Sequence, residues 1–494
     1  MRNRVQLIAY ADRLGGDISA LTNIVRGPLA GAYGGVHLLP FFTPFDGADA
    51  GFDPVDHTEV DPRLGGWGDL AALAADHEVV VDVIVNHVSA DSAAFIDVLA
   101  HGDASTYAPM FLTMSSVFPD GATEADLAKI YRPRPGLPFT PYTLGGERRL
   151  VWTTFTPQQV DIDVRSEQGR AYLISILDRL RDVGVSLVRM DAVGYAIKTA
   201  GTSCFMTPDT FDFIDEFTAL AHARGLDILV EIHSYYRDQI DIAARVDWVY
   251  DFALPPLVLY AAYTGDHAPL HRWCDMRPAN AITVLDTHDG IGIVDVGPDQ
   301  KVSGRPGLLT PEQLDVVVEG IHESTAGESR KSTGQAASNL DVYQVNSTFY
   351  SALGADDRRY LAARAVQFML PGIPQVYYVG ALAGANDMDF LARSGVGRDI
   401  NRHAYSDDDL AADLERPVVQ SLLALARWRN ELPVFEGEAI VEGKDEGIRI
   451  TRRQGEVWAA LVTDLSQGEV HLSWSGPDGE GETTDLLTSP PRVG

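Results

Sequence analysis

Short apolar runs recur along the chain at residues 5–10, 36–39, 79–85, 186–190, 228–232, 249–252, 281–285 and 376–379, each closed by polar or charged residues. Helical periods lie between several of them. Leu70, Leu73 and Ala74 follow Trp67 and Asp69. Tyr172, Leu173, Ile176, Leu177 and Leu180 form a stripe before the fourth run, and Phe213, Ile214, Phe217, Leu220 and Ala221 form one before the fifth. A strand covered on both faces has no polar side, so it reads as an unbroken apolar run. A helix lying on it shows a single apolar stripe. Runs and stripes in alternation predict a parallel sheet covered by helices. Eight such units predict an α/β fold, a closed (β/α)8 TIM barrel rather than an open sheet.

Two intervals are too long for a simple loop and helix. After the third run, residues 90–169 are rich in Pro, Gly, Thr and aromatics, including Arg132-Pro133-Arg134-Pro135-Gly136-Leu137-Pro138, with weak helix and strand signals. After the seventh, residues 289–356 are polar and glycine-containing. Both are expected to be loop-rich insertions leaving the C-terminal ends of strands, the face where barrel active sites sit. Past Pro433, β-like segments at 447–452, 457–463 and 469–474 alternate with turns such as Gly476-Pro477-Asp478-Gly479, which predicts a small C-terminal antiparallel β domain. The expected division is barrel 1–87, inserted subdomain 88–168, barrel 169–290, inserted loop subdomain 291–356, barrel 357–434 and C-terminal β domain 435–494.

Composition narrows the function classes. The 494 residues are 45% hydrophobic and 22% charged, a globular profile. No stretch approaches the roughly 20 apolar residues of a membrane span. Acids outnumber bases 70 to 39, a net charge of −31. That argues against nucleic acid, which needs a basic face, and reads as a well-solvated acidic surface. Cys204 and Cys274 make no disulfide framework and fit a reducing compartment. The run 5–10 is too short for a signal sequence and is broken by Asp12 and Arg13, so it reads as a first strand of a cytoplasmic protein. Asn346-Ser347-Thr348 reads as a chance match to a glycosylation acceptor.

Three acids stand out by position. Asp191 ends the fourth run, Glu231 follows Leu229-Val230 in the fifth, and Asp289 closes Leu285-Asp286-Thr287-His288-Asp289 after the seventh. Acids at separate strand ends are expected to converge on one pocket mouth. Paired carboxylates there are the arrangement for cleaving a glycosidic bond: one attacks as the anion, the other delivers a proton. Arg189, two residues before Asp191, points to the same side of the strand and would keep it ionised. The apolar residues before Glu231 would raise its pKa. Any one acid alone reads as well as a salt-bridged strand cap. Three of them, flanked by Arg189, His87 and His288, do not.

Asp82-Val83-Ile84-Val85-Asn86-His87, Val188-Arg189-Met190-Asp191-Ala192-Val193, Glu231-Ile232-His233 and Thr287-His288-Asp289 resemble, in order, the four signatures of the α-amylase superfamily, glycoside hydrolase family 13. The likeness is closer still to the members of that family that phosphorolyse disaccharides. It is carried by residues 44–54, 131–139 and 254–256, by Tyr343-Gln344-Val345-Asn346-Ser347 and by Gly397-Arg398-Asp399-Ile400-Asn401-Arg402, and is looser in the C-terminal domain. The resemblance implies Asp191 as nucleophile, Glu231 as general acid/base and Asp289 as transition-state stabiliser. It implies Asp49, Phe52, His87, Arg189, His288 and Arg398 around the glucosyl group, with Tyr195 and Asp341 also in contact with substrate. Arg134 and Tyr343 are expected to help bind phosphate, and Pro133 and Gln344 to contact fructose. The implied partners are sucrose and inorganic phosphate as substrates and glucose 1-phosphate and fructose as products, with a homodimer as the assembly to test. Related donors (glucosylglycerol, glucosylglycerate or sucrose 6′-phosphate) and plain hydrolysis are the alternatives. A non-catalytic binding protein would lack one of the acids.

No cofactor is expected. Gly290-Ile291-Gly292 lacks the third glycine of a dinucleotide fingerprint, and His37, His57, His101 and His403 share no metal-ligand spacing, so no metal is expected either.

Overall fold

All eight apolar runs become strands of one closed parallel barrel: β1 Gln6–Ala9, β2 Gly35–Leu38, β3 Glu78–Ile84, β4 Leu187–Asp191, β5 Asp227–Val230, β6 Trp248–Asp251, β7 Ala281–Thr283 and β8 Ile373–Tyr377, neighbouring one another in chain order. The computed structural model describes residues 1–43, 50–132, 134–300, 302–333, 344–444, 447–476 and 479–492. β8 begins before its apolar run because Pro374 and Gln375 interrupt the pattern, yet all five of its residues are buried. The chain divides into two compact units. One comprises Met1–His37, His233–Ala243 and Val249–Gly494; the other comprises Leu38–Ile232 and Ala244–Trp248.

Within the second unit, β4 pairs with β3 and β5 in parallel, with Arg189 opposite Asp82 on one side and Leu229 on the other. The helix Glu167–Asp182 starts at Ser166, whose side chain accepts from the Gly169 N–H, and buries Leu173, Ile176, Leu177 and Leu180. Each such side chain contributes about 1.5–3 kcal/mol on burial, and the four together outweigh the cap at about 1 kcal/mol, so the stripe decides the helix's placement.

The first insertion is more ordered than its composition indicated. It carries the helices Ala93–His101 and Glu124–Lys129 and a hairpin of Phe139–Leu144 with Glu147–Trp152. Its strand Gln159–Asp161 pairs with His87–Ser89. The hairpin turns at Gly145-Gly146, both at positive φ, a glycine pair that is itself a hairpin signal. Leu112, Val117, Phe118 and Trp152, with Cys204 from the segment after β4, form a small core under this region.

Within the first unit, the polar residues inside strands pair with one another. Gln375 donates to Gln6 at 2.7 Å, and the Tyr250 hydroxyl reaches Gln375 at 3.0 Å and His37 at 3.2 Å. The second insertion carries a helix, Pro311–Ser324. It is announced by Thr310 and Gln313, which cap each other's backbone, and by proline at the first helical position. The C-terminal domain is a five-stranded antiparallel sheet, β9 Glu438–Lys444, β10 Gly447–Gln454, β11 Val457–Asp464, β12 Glu469–Gly476 and β13 Gly479–Thr483, in that order. The three strands expected from alternation are its middle. Pro477 and Asp478 of the expected turn lie outside the described residues. Among the described residues no helix is long and apolar enough to cross a membrane.

Candidate active site

In the second unit the site is built around Arg189. Its guanidinium is almost wholly buried and donates to Asp82, a carboxylate with no exposed surface on β3. The same nitrogen donates to Asp191 Oδ1 at 2.8 Å, and its neighbour lies 3.9 Å from Glu231 Oε1. One cation therefore faces two carboxylates that each retain some exposure. Glu231 is not in the purely apolar setting that Ile228-Leu229-Val230 indicated. The Ala192 N–H also approaches Glu231 Oε2 at 3.4 Å. Ala192 sits at φ 55°, a left-handed conformation that alanine rarely adopts; it turns the chain sharply straight after Asp191.

Phe52 is buried, with its ring 5.7 Å from the Arg189 guanidinium carbon, and its carbonyl accepts from His87 Nε2 at 2.9 Å. Tyr195 is buried among Tyr131, Phe155 and Phe205, stacked on Tyr131 at 6.3 Å. Burial, reinforced by the Tyr131 ring and the Glu231 charge and opposed by Arg134, holds its hydroxyl well above the usual tyrosine range. Among the described residues nothing accepts a hydrogen bond from Arg134, which is half-buried. Its neighbour Arg132 is by contrast tied to the Leu137 carbonyl at 2.6 Å and the Phe155 carbonyl at 3.0 Å.

Lys198 was not singled out by the sequence reading. Its ammonium is buried and bonds Asp161 at 2.7 Å, the Asn86 amide oxygen at 2.6 Å and the Tyr195 carbonyl. All three ammonium donors are thus engaged by oxygens from the insertion, the loop after β3 and the loop after β4. Asp82 was missed as well, although an acid inside an apolar run is a legible sign of a buried ion pair.

In the first unit, Asp289 follows β7. Its Oδ1 lies 2.8 Å from Arg398 Nη1 and 3.7 Å from His288 Nε2, but accepts no well-angled hydrogen bond among the described residues. Burial pushes the Asp289 carboxyl up. Arg398 foremost, with His288 after it, overrides that and holds it well below the usual carboxylate range. The backbone of this segment is held from outside: Asn401 donates to the Asp289 carbonyl at 2.7 Å, and Arg402 to the His288 carbonyl at 3.0 Å. Gln344 lies on a two-residue strand opposite Gly292, with its amide nitrogen 3.2 Å from His233 Nε2. Asp49, Pro133, Asp341 and Tyr343 lie outside the described residues.

A parallel barrel bearing Arg189 between paired acids has the make-up of an enzyme acting on glycosidic bonds. The family model for the α-amylase catalytic domain matches residues 32–242. A sucrose phosphorylase of Bifidobacterium adolescentis is 57% identical, covering 100% of both chains, and one of Agrobacterium vitis is 55% identical over 96% of this chain and 98% of its own. The crystal structure of a sucrose 6F-phosphate phosphorylase from Thermoanaerobacter thermosaccharolyticum superposes with a TM-score of 0.90 at 37% identity, covering 98% of each chain. The chain belongs to the α-amylase family, glycoside hydrolase family 13, in the branch of the sucrose phosphorylases.

Proposed function

We propose that the chain is a sucrose phosphorylase, transferring the α-glucosyl group of sucrose to inorganic phosphate to give α-glucose 1-phosphate and fructose. Asp191 attacks the anomeric carbon while Glu231 protonates the departing fructosyl oxygen. Phosphate then attacks the β-glucosyl enzyme from the face that fructose left, with Glu231 now a carboxylate, and the two inversions give net retention. Both steps run on carboxylates and protons, so the reaction needs no cofactor or metal. The setting is the cytoplasm.

The observation that carries this reading is the Arg189 clamp. Asp82 immobilises the guanidinium, which stabilises the Asp191 anion and adjoins Glu231. Asp289 takes the role of transition-state stabiliser. Its Oδ1 lies 2.8 Å from Arg398, which holds its charge. Phe52, His87 and His288 line the glucosyl group. Arg134, with no protein acceptor among the described residues, takes phosphate through its forked N–H donors. Asp49, Tyr195 and Asp341 contact substrate, Tyr343 assists Arg134, and Pro133 and Gln344 contact fructose.

The test is a donor panel of sucrose, sucrose 6′-phosphate, glucosylglycerol and glucosylglycerate with inorganic phosphate, followed for glucose 1-phosphate. The expected result is the highest kcat/KM with sucrose. Release of free glucose without consumption of phosphate would overturn phosphorolysis, and a higher value with another donor would overturn sucrose.

A further inference from the structure

His233 lies two residues past Glu231, and the chemistry above does not use it. Its ring stacks on Phe252 at a centroid distance of 3.9 Å. Its Nδ1 is 2.8 Å from Asp295 Oδ2, and its Nε2 is 3.2 Å from the Gln344 amide nitrogen. Asp295 has no exposed surface. Its other oxygen faces the Ser234 N–H at 3.3 Å and the Gln239 amide at 3.1 Å. The pair is accommodated by a glycine. A Cβ on Gly292 would stand 2.2 Å from Asp295 Oδ2 and 3.1 Å from His233 Nδ1. Gly292 is also the residue paired with Gln344 across the short ribbon. The same backbone position therefore admits the carboxylate–imidazole pair and sets Gln344 beside it.

The protons follow from what each group can do. An ionised carboxylate only accepts, so the imidazole carries its proton on Nδ1. The Nε2 of a neutral ring is then a lone pair, and it accepts from the Gln344 NH2. An amide whose NH2 is held this way presents its carbonyl oxygen at the other end.

We propose that Asp295 is a positioning residue which, through His233, fixes the orientation of the Gln344 amide so that its oxygen accepts a hydroxyl of the leaving fructose. This rests on the reading that Gln344 contacts fructose. Asp295→Asn keeps the shape but offers an NH2 as well as an oxygen to the imidazole, so the opposite tautomer and a turned Gln344 become accessible.

The experiment compares two reactions of the same glucosyl enzyme: synthesis from glucose 1-phosphate and fructose, and arsenolysis of glucose 1-phosphate, which uses no fructose. In Asp295→Asn the KM for fructose should rise about tenfold or more while arsenolysis stays within about twofold, and Asp295→Asn/Gln344→Ala should be no worse for fructose than Gln344→Ala. An equal fall in both reactions, or an unchanged KM for fructose, would overturn the proposal. A parent that makes no glucose 1-phosphate from sucrose would instead sink the functional reading. Should Asp295→Asn not fold, nitrogen NMR of the parent decides. His233, assigned by its loss in a His233 variant, is expected to carry a proton on Nδ1 and none on Nε2. A proton on Nε2 overturns the assignment.

Discussion

At the scale of single residues, the proposed roles separate by leaving group and acceptor. Asp191→Asn removes the attacking charge, and sucrose turnover is expected to fall by roughly ten-thousandfold or more. Near-parental phosphorolysis in initial-rate assays would remove Asp191 as nucleophile. Glu231→Gln should lose about 10²–10⁴-fold on sucrose, which needs a proton at its leaving oxygen, and far less on α-glucosyl fluoride. Equal losses on both donors would give Glu231 another role. Arg134→Ala is expected to shift product from glucose 1-phosphate toward free glucose at fixed phosphate, with sucrose cleavage less affected. Among the described residues no acceptor takes a hydrogen bond from Arg134. An unchanged product ratio would place the phosphate site elsewhere. Asp191 and Glu231 were legible because each stands at the end of an apolar run; Arg134, in a proline-rich insertion, was marked only by the family resemblance. Asp295 was not legible: only the fold brings it to His233, sixty-two positions earlier in the chain.

At the scale of elements, Lys198 links the strand Gln159–Asp161 of the first insertion to the loops after β3 and β4. The ion pair with Asp161 is buried on both sides, so removing one partner leaves an uncompensated charge. Lys198→Met is expected to cost about 3–5 kcal/mol, with Lys198→Met/Asp161→Asn recovering part of it. Thermal unfolding of the three proteins measures this. A Tm within a degree or so of the parent for Lys198→Met would show that Thr154, which also hydrogen-bonds Asp161 through its backbone N–H at 2.9 Å, suffices alone. The loss should appear first as proteolytic nicking of residues 88–168, because the core under that segment is small.

At the scale of the whole molecule, acid pH sets two effects against each other. Protonation of carboxylates relieves the self-repulsion of a chain at −31, which stabilises. Buried His57 works the other way. Burial, reinforced by His87 and opposed by Asp82, pulls its pKa down to about 3. An unfolded histidine titrates near 6.5, so between about 6.5 and 3 the unfolded chain binds the extra proton and stability falls with pH. The slope is about 1.4 kcal/mol per unit, or about 2 kcal/mol at pH 5. His57→Asn is therefore expected to flatten the decline of Tm between pH 7 and pH 5 relative to the parent. Parallel declines would mean that His57 is not held neutral. Asp289 contributes little to the change between pH 7 and pH 5. Its depressed carboxyl contributes stability above the unfolded value near 4, and loses it only at more acid pH.

The pattern of residues determined the barrel, its strand count and order, and the positions of Asp191 and Glu231 at strand ends, because burial is written locally as runs and stripes; Asp289, expected at the end of β7, lies six residues beyond it. The hairpin at Gly145-Gly146 and the helix at Pro311–Ser324 were also written locally, in turn and cap residues rather than in periodicity. Tertiary structure alone decided the polar pairings. Arg189 with Asp82, Lys198 with Asp161 and Asn86, and His233 with Asp295 and Gln344 each join residues far apart in the chain. A buried charge requires a partner, but nothing in its neighbours along the chain says which. Only the fold's geometry brings the matching oxygen or nitrogen within about 3 Å.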